Sequence, residues 1–325
     1  MKDKLRIGLY GRNGHQIGGK IPADHPNAVI TAVCFPGDDP AKVQAQFPNA
    51  AVYETLDDML AAKGVDMVSL CSPKRSSQKG DALKCIAAGV HVYTEKPAVL
   101  TEEDLDEVLA AADAAGVAFH EMADTVFYEP YWALRKLIRS GKLGKVVQVY
   151  AQKCYPSNFA ARPQDEDTDG GLIRWVGVHG VRFIEHVTGL NVQDVQVVQT
   201  HCGNGHEDSG IFTASAWTMT LEGGAVAAMT ASYLQPKSFP HWGKVGVRVF
   251  CTDGIDEITD GGLRTHVYTD TESYELDTAD SDCPNYLDNL LSHLRSGTPL
   301  LMTREEELHP LRVVIRAWNT ARTHA

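Results

Sequence analysis

The sequence predicts a two-domain chain. An α/β unit with a doubly wound parallel sheet is expected over residues 1–122, followed over 123–325 by an α+β unit built on a large, mainly antiparallel sheet. Three observations predict it. Short, continuously apolar runs alternate with helical patterns as far as Glu121, and long runs of alternating polarity dominate from Val146 to Cys251. The 325 residues also suffice for two cores, at about 150 residues per domain.

In the first part the strand candidates are 6–10, 29–35, 66–71, 91–94 and 117–121. Apolar on both faces, they need helices on both sides of the sheet. The clearest helix is 101–115. Thr101 and Asp104 form a capping-box pattern, acids fill the first turn, Leu105, Val108, Leu109 and Ala112 share a face, and Gly116 stops it. In the second part a helix over 128–140 ends at Gly141, and strands are expected at 146–153, 211–220, 225–233 and 244–251, with Gly223 and Gly224 as a hairpin turn. Helices are expected at 172–188, 286–296 and 305–322, the last packing back on the first domain. A sheet so sparsely covered leaves one face to solvent or to a partner, which points to a homo-oligomer.

A net charge of −12 without a basic block argues against nucleic acid or an anionic membrane and for a small-molecule partner. Seven scattered cysteines read as reduced core thiols. The chain enters a strand directly after MKDK, and no segment approaches the roughly 20 apolar residues of a membrane span, so the expected location is cytoplasmic.

LRIGLYGRNGHQIGG, residues 5–19, has the strand and glycine burst of a Rossmann-like dinucleotide site, but the glycines are displaced. With Gly11 as the first glycine, the second position is Asn13 and the third Gln16. Asn13 followed by Gly14 can preserve the turn, and a helix after Gly14 would present N–H groups to a phosphate. That helix is poor, because Gly18, Gly19 and Pro22 interrupt it. The second strand ends at Phe35 where an acid usually holds the ribose; Asp38 and Asp39 follow, and Arg12 is the nearest candidate for a 2′-phosphate.

YTEKPA at 93–98, the earlier Cys71-Ser72-Pro73 and the capped TEEDLDEVL together resemble the GFO/IDH/MocA family of nicotinamide-dependent sugar and polyol oxidoreductases. YEPYWALRKLIRSGKLGKVVQV, GGLIRWVGVHGVRFIEHVTG, EDSGIFTASAWTMTLEGGAVAAMTAS and YLDNLLSHLRSGTPL follow in the family's order. The resemblance implies catalytic roles for Lys96 and His179, and a cofactor, NAD or NADP, held by Gly11, Arg12, Asn13, Gly14, His15, Phe35, Ser72, Pro73, Glu95 and Lys96. It also marks departures: Trp175 stands at the family's aspartate position, Arg182 at that of a common acid and Ser77 at that of a common histidine. Trp175, His120 and Arg182 are the candidate substrate contacts.

Helical spacing gathers Ile173, Gly177, Gly180, Val181 and Ile184 on one stripe and Trp175, His179, Arg182 and His186 on another, one for the core and one for a cleft. In the chemistry the resemblance implies, His179 accepts a hydroxyl proton and Lys96 holds the oxygen. Trp175 either stacks on a sugar ring or packs beneath it. Lys74-Arg75 reads as a solvated pair, and the acids at 165–169 as a solvated loop. His201, Cys202, His206, Glu207 and Asp208 read as a polar loop, and no metal site is expected. The residues leave three functions open: a carbohydrate or polyol oxidoreductase, a lyase or hydrolase using bound NAD(P) transiently, and a non-catalytic sensor or partner subunit.

Overall fold

A computed structural model describes residues 4–156, 162–205, 209–239, 243–259, 262–279 and 281–324. The chain divides into two compact units, Met1–Met122 with Asn285–Glu307, and Ala123–Pro284 with Leu308–Ala325.

In the first unit six parallel strands, β1 (Leu5–Tyr10), β2 (Ala28–Cys34), β3 (Ala51–Val52), β4 (Met67–Leu70), β5 (His91–Thr94) and β6 (Phe119–Glu121), lie in the order β3-β2-β1-β4-β5-β6. Ile7, Leu9, Val68, Leu70 and Val92 are each at most 1% exposed, as a sheet covered on both faces requires. β2 and β4 flank β1, so the strand order reverses there, and a crevice opens beyond the carboxyl ends of the strands at such a point. Four helices follow the strands: α1 (Pro40–Gln46), α2 (Leu56–Ala61), α3 (Gln78–Ala87) and α4 (Glu102–Ala115). The expected capping holds in α4. Thr101 Oγ1 accepts the Asp104 N–H at 3.1 Å, and Gly116 ends the helix in the left-handed conformation. Leu105 and Val108 are fully buried, worth roughly 1.5–3 kcal/mol each.

The second unit begins with α5 (Tyr131–Arg139), which starts three residues later than predicted because Glu129 precedes a proline and such residues avoid helical angles. Its sheet comprises β7 (Val146–Cys154), β8 (Val192–Thr200), β9 (Ala214–Leu221), β10 (Val226–Ser232), β11 (Lys244–Cys251), β12 (Ile255–Thr259), β13 (Arg264–Tyr268), β14 (Ser273–Glu275) and β15 (Arg322–His324), in the order β14-β13-β12-β11-β7-β10-β9-β8-β15. Two pairings, β7 with β10 and β8 with β15, are parallel; the others are antiparallel. Gly223 and Gly224 make the expected turn, closed by Leu221 N–H on Ala225 O at 2.8 Å. A short helix, α6 (Glu166–Asp169), precedes the main one.

The helix expected at 172–188 is two pieces, a π-helical segment at Leu172–Gly177 and α7 (Val178–Thr188). The wider π turn breaks the spacing between Trp175 and the residues after it. The division into a core stripe and a cleft stripe also fails, since α7 is buried nearly all round, Arg182 at 0% and His186 at 1% exposed. One side lies flush on the sheet, where a Cβ on Gly180 would overlap the Met229 sulfur. The other side meets α5: the Phe183 and Tyr131 rings are 4.6 Å apart, and Arg135 donates to the His186 carbonyl.

Asn285–Glu307 carries α8 (Tyr286–Ser296) and the start of α9 (Arg304–Thr320). The last helix ends at Thr320, and Arg322, predicted helical, begins β15 instead.

Candidate functional site

β1 delivers the chain to Gly11 at φ +70°, where any Cβ would overlap the Cys71 carbonyl oxygen. The loop can therefore lie directly on the end of β4. Asn13 N–H donates to that carbonyl at 3.3 Å, and the Asn13 side chain donates to Pro73 O at 3.1 Å. Gly14, at φ +124°, faces the Glu95 carboxylate with the same lack of room for a side chain. Gln16, at the third glycine position, sends its amide nitrogen to Tyr10 O, Gly11 O and Ser69 O and caps a single 3₁₀ turn at Ile17–Lys20. The helix expected after Gly14 is thus replaced. The N–H groups of Asn13, Gly14 and His15 turn inward, onto Cys71 O, Arg12 O and Glu95.

Glu95 is the hub of this loop. Fully buried at the end of β5, its Oε2 accepts the His15 backbone N–H and lies 2.9 Å from His15 Nδ1, and its Oε1 accepts the Lys96 N–H at 3.0 Å. Burial alone would push this carboxyl up strongly. The His15 hydrogen bond and the charges of Lys96, His15 and Arg75 outweigh it and hold the pKa down at about 2. Lys96 is 2% exposed, and its bond to Pro97 is cis.

Arg75, expected in solvent, is 1% exposed. It donates to Asn13 O and, at 2.9 Å, to Gln78 Oε1, while Gln78 Nε2 donates to Glu95 O at 2.6 Å and Pro97 O at 2.8 Å. This chain of bonds ties the glycine loop to the Glu-Lys-Pro turn, and sequence reasoning missed it. Ser72 Oγ donates to Asp81 at 2.8 Å.

At the end of β2, Arg12 lies over the Phe35 ring at 3.9 Å from its centroid and pairs with Asp38 at 2.6 Å. An exposed cation and carboxylate beside a loop held flush to the strand ends suit a dinucleotide's ribose end. On these residues NAD or NADP fits this unit, although the amides of residues 13–15 are engaged within the protein.

In the second unit His179 stands between two hydroxyls. Thr125 Oγ1 is 3.2 Å from Nδ1, and Tyr155 OH is 3.4 Å from Nε2. The helix spacing could not reveal these two partners, because Thr125 and Tyr155 come from other segments. Lys153 Nζ lies 4.8 Å from the Tyr155 ring centroid, and burial lowers its pKa to about 8. Trp175, half-buried, packs against the buried cluster of Leu172, Val176, Ile211, Ala231 and Tyr233.

Other expectations change. His120 is buried and bound through Nδ1 to Glu307 Oε2 at 2.8 Å, and Glu307 also accepts the Glu121 N–H at 2.6 Å and the Tyr286 hydroxyl at 2.5 Å. It reads as structural rather than as a substrate contact. Arg182, wholly enclosed, likewise offers no surface to a ligand. The acids at 165–169 are not a solvated loop: Asp165 caps α6, Asp169 pairs with Arg162 at 2.8 Å, and Glu166 pairs with Arg174 at 3.1 Å and accepts from Trp318 at 2.7 Å. His201 stacks on Phe212 at 3.8 Å, whereas His206, Glu207 and Asp208 lie outside the described residues.

A parallel sheet with a glycine loop beyond its first strand, joined in one chain to a large mixed sheet, defines a two-domain dinucleotide-type oxidoreductase fold. The chain belongs to the GFO/IDH/MocA oxidoreductase family: the NAD-binding Rossmann fold of that family matches residues 5–122, and its C-terminal domain matches residues 131–255. The scyllo-inositol 2-dehydrogenase (NADP(+)) of Bacillus subtilis (strain 168) is 22% identical, over 98% of this chain and 94% of that enzyme. A 2,7-anhydro-N-acetylneuraminate hydratase of Escherichia coli (strain K12) is 27% identical, over 61% of this chain and 53% of that one. The WlbA dehydrogenase from Bordetella pertussis, solved with NADH and UDP-GlcNAcA, superposes with a TM-score of 0.81 at 21% identity, over 98% of this chain and 96% of that one. At that identity the likeness shows the fold alone. No helix among the described residues is long and apolar enough to cross a membrane.

Proposed function

We propose that the chain is an NAD(P)-dependent oxidoreductase acting on a sugar, polyol or related hydroxy compound. The observation that carries this reading is the imidazole of His179 with a hydroxyl at each ring nitrogen. With Nδ1–H donated to Thr125 Oγ1, Nε2 is the acceptor facing the Tyr155 hydroxyl, and through that hydroxyl the imidazole takes up the proton of a substrate alcohol. Lys96, the lysine of the Glu-Lys-Pro turn, is the second residue the family resemblance assigns to the chemistry. A nicotinamide cofactor, which the loop at residues 11–15 and the turn at Glu95 and Lys96 would hold, would supply the hydride acceptor, so that the net reaction would convert alcohol and oxidised cofactor into carbonyl compound, reduced cofactor and a proton. Glu95 and Arg75 hold the Lys96 turn in place. The inositol dehydrogenase relative supports the polyol class. Exposed Tyr150, Val198 and Val226 on one face of the nine-stranded sheet support a homo-oligomer, and a cytoplasmic location belongs to the same reading.

A second reading is favoured by the hydratase relative: transient oxidation and re-reduction of one carbon without net redox change. A substrate panel followed at 340 nm separates the two, since only the first gives a lasting absorbance change. Lys96→Met should abolish turnover of either kind with little change in cofactor Kd. Unchanged turnover would remove Lys96 from the mechanism. If neither dinucleotide raises Tm at millimolar concentration, both readings fail.

A further inference from the structure

The chain after β2 bears both on the choice between NAD and NADP and on the absence of an acid at Phe35. Phe35, Pro36, Gly37 and Asp38 form a tight turn in which Asp38 N–H donates to Phe35 O at 3.1 Å. Proline at its second position and glycine at φ +88° at its third are the pattern of a type II turn. The turn carries Asp38 back to the glycine loop, where its carboxylate meets Arg12 Nε at 2.6 Å. Arg12 is in turn laid over Phe35 and donates to Gln46 Oε1 at 2.7 Å. The neighbouring Asp39 is occupied, accepting the Ala41 N–H at 2.9 Å as the cap of α1. The Arg12 and Asp38 side chains are 43% and 39% exposed, so the pair is open to a ligand.

We infer that Asp38 takes the place of the missing strand-end acid, holding the hydroxyls of an adenosine ribose and making the site select NAD over NADP. The inference rests on the proposed use of a nicotinamide dinucleotide and goes beyond it. A carboxylate accepts hydrogen bonds from vicinal hydroxyls and repels a phosphate ester in the same position. Arg12 is the loop's candidate for a 2′-phosphate, and Asp38 already neutralises it. A 2′-phosphate would have to break that ion pair and then sit beside the released carboxylate.

The test is calorimetric titration of the full chain with oxidised NAD and NADP, without substrate, for wild type, Asp38→Asn, Asp38→Ser and Arg12→Ala, with Tm recorded for each. Wild type should bind NAD at least about tenfold more tightly, the size expected for a hydrogen bond to a charged acceptor. Both Asp38 variants should weaken NAD, strengthen NADP by freeing Arg12, and bring the two within about threefold or reverse them. Arg12→Ala should keep the preference for NAD. Equal or tighter NADP binding by wild type, an unchanged ratio in folded Asp38 variants, or loss of the preference in Arg12→Ala would each overturn the inference. Binding of neither dinucleotide by wild type would overturn the cofactor reading and this inference with it.

Discussion

Replacing Glu95 by glutamine changes almost no volume and removes one charge at the hub of the glycine loop. Two carboxylate oxygens now accept from two sets of donors, Oε1 from the Lys96 N–H and Oε2 from His15. Glutamine has a single carbonyl oxygen, so its NH₂ must face one N–H group across a donor–donor contact. Buried Arg75 and Lys96 lose a counter-charge at the same time. The carboxyl pKa falls from 4.5 to about 2 on folding. At about 1.4 kcal/mol per pH step, that is worth about 3 kcal/mol, matching the roughly 3–5 kcal/mol lost when one partner of a buried ion pair is removed. Because the folded value lies below the unfolded one, this stabilisation is fully present above about pH 4.5 and is lost as pH falls towards 2. In a domain of about 150 residues, 3 kcal/mol corresponds to a Tm lower by roughly 6–12 °C. Thermal unfolding of wild type and Glu95→Gln between pH 7 and pH 3 measures both effects. The variant should melt lower at pH 7, and the gap should narrow as the solution is acidified. A variant within about 0.5 kcal/mol of wild type at pH 7, or a gap independent of pH, would refute the assignment of Glu95 as an ionised hub.

Gly180→Ala should lower the urea midpoint, because a new methyl overlaps the Met229 sulfur; overpacking of about 1–3 kcal/mol outweighs the gain of about 1 kcal/mol in helix propensity. Adding Met229→Ala should recover at least part of that loss, and strictly additive effects would contradict the flush contact. Lys153→Met should raise Tm at pH 7. Burial lowers the lysine pKa from 10.5 to about 8, so the folded state bears the cost of protonation below pH 8, and that cost fades as pH rises to 10.5. The gain should therefore shrink across that range, and a gain that persisted above it would have another cause.

Much of the first unit was legible because its signals are local. The 101–115 helix declares both its ends within its own residues, and His91–Thr94 is a strand as read. β3 was not found, since a two-residue strand has no periodicity to detect. In the second unit alternation revealed β7, β9, β10 and β11 but not β8, β12, β13, β14 or β15, nor that β7 and β10, far apart in sequence, are parallel neighbours. Motifs named Gly11, Glu95, Lys96 and His179 as site candidates, but not the bonds that fix these residues in place. The candidate site was not legible where partners arrive from elsewhere in the chain. Arg75 looked like surface charge because nothing beside it names Asn13 and Gln78 as its partners, and Thr125 and Tyr155 gave no sign of meeting His179. Arg182 misled for the opposite reason: a helix with a polar stripe usually shows it to water, yet α7 lies between a sheet and α5.

The bend made by Pro36 and Gly37 has an evolutionary consequence. A side chain aimed by a surface bend can be redirected by changing residues that belong to no strand ladder, so selection can retune that corner of the crevice while the six-stranded core stays untouched.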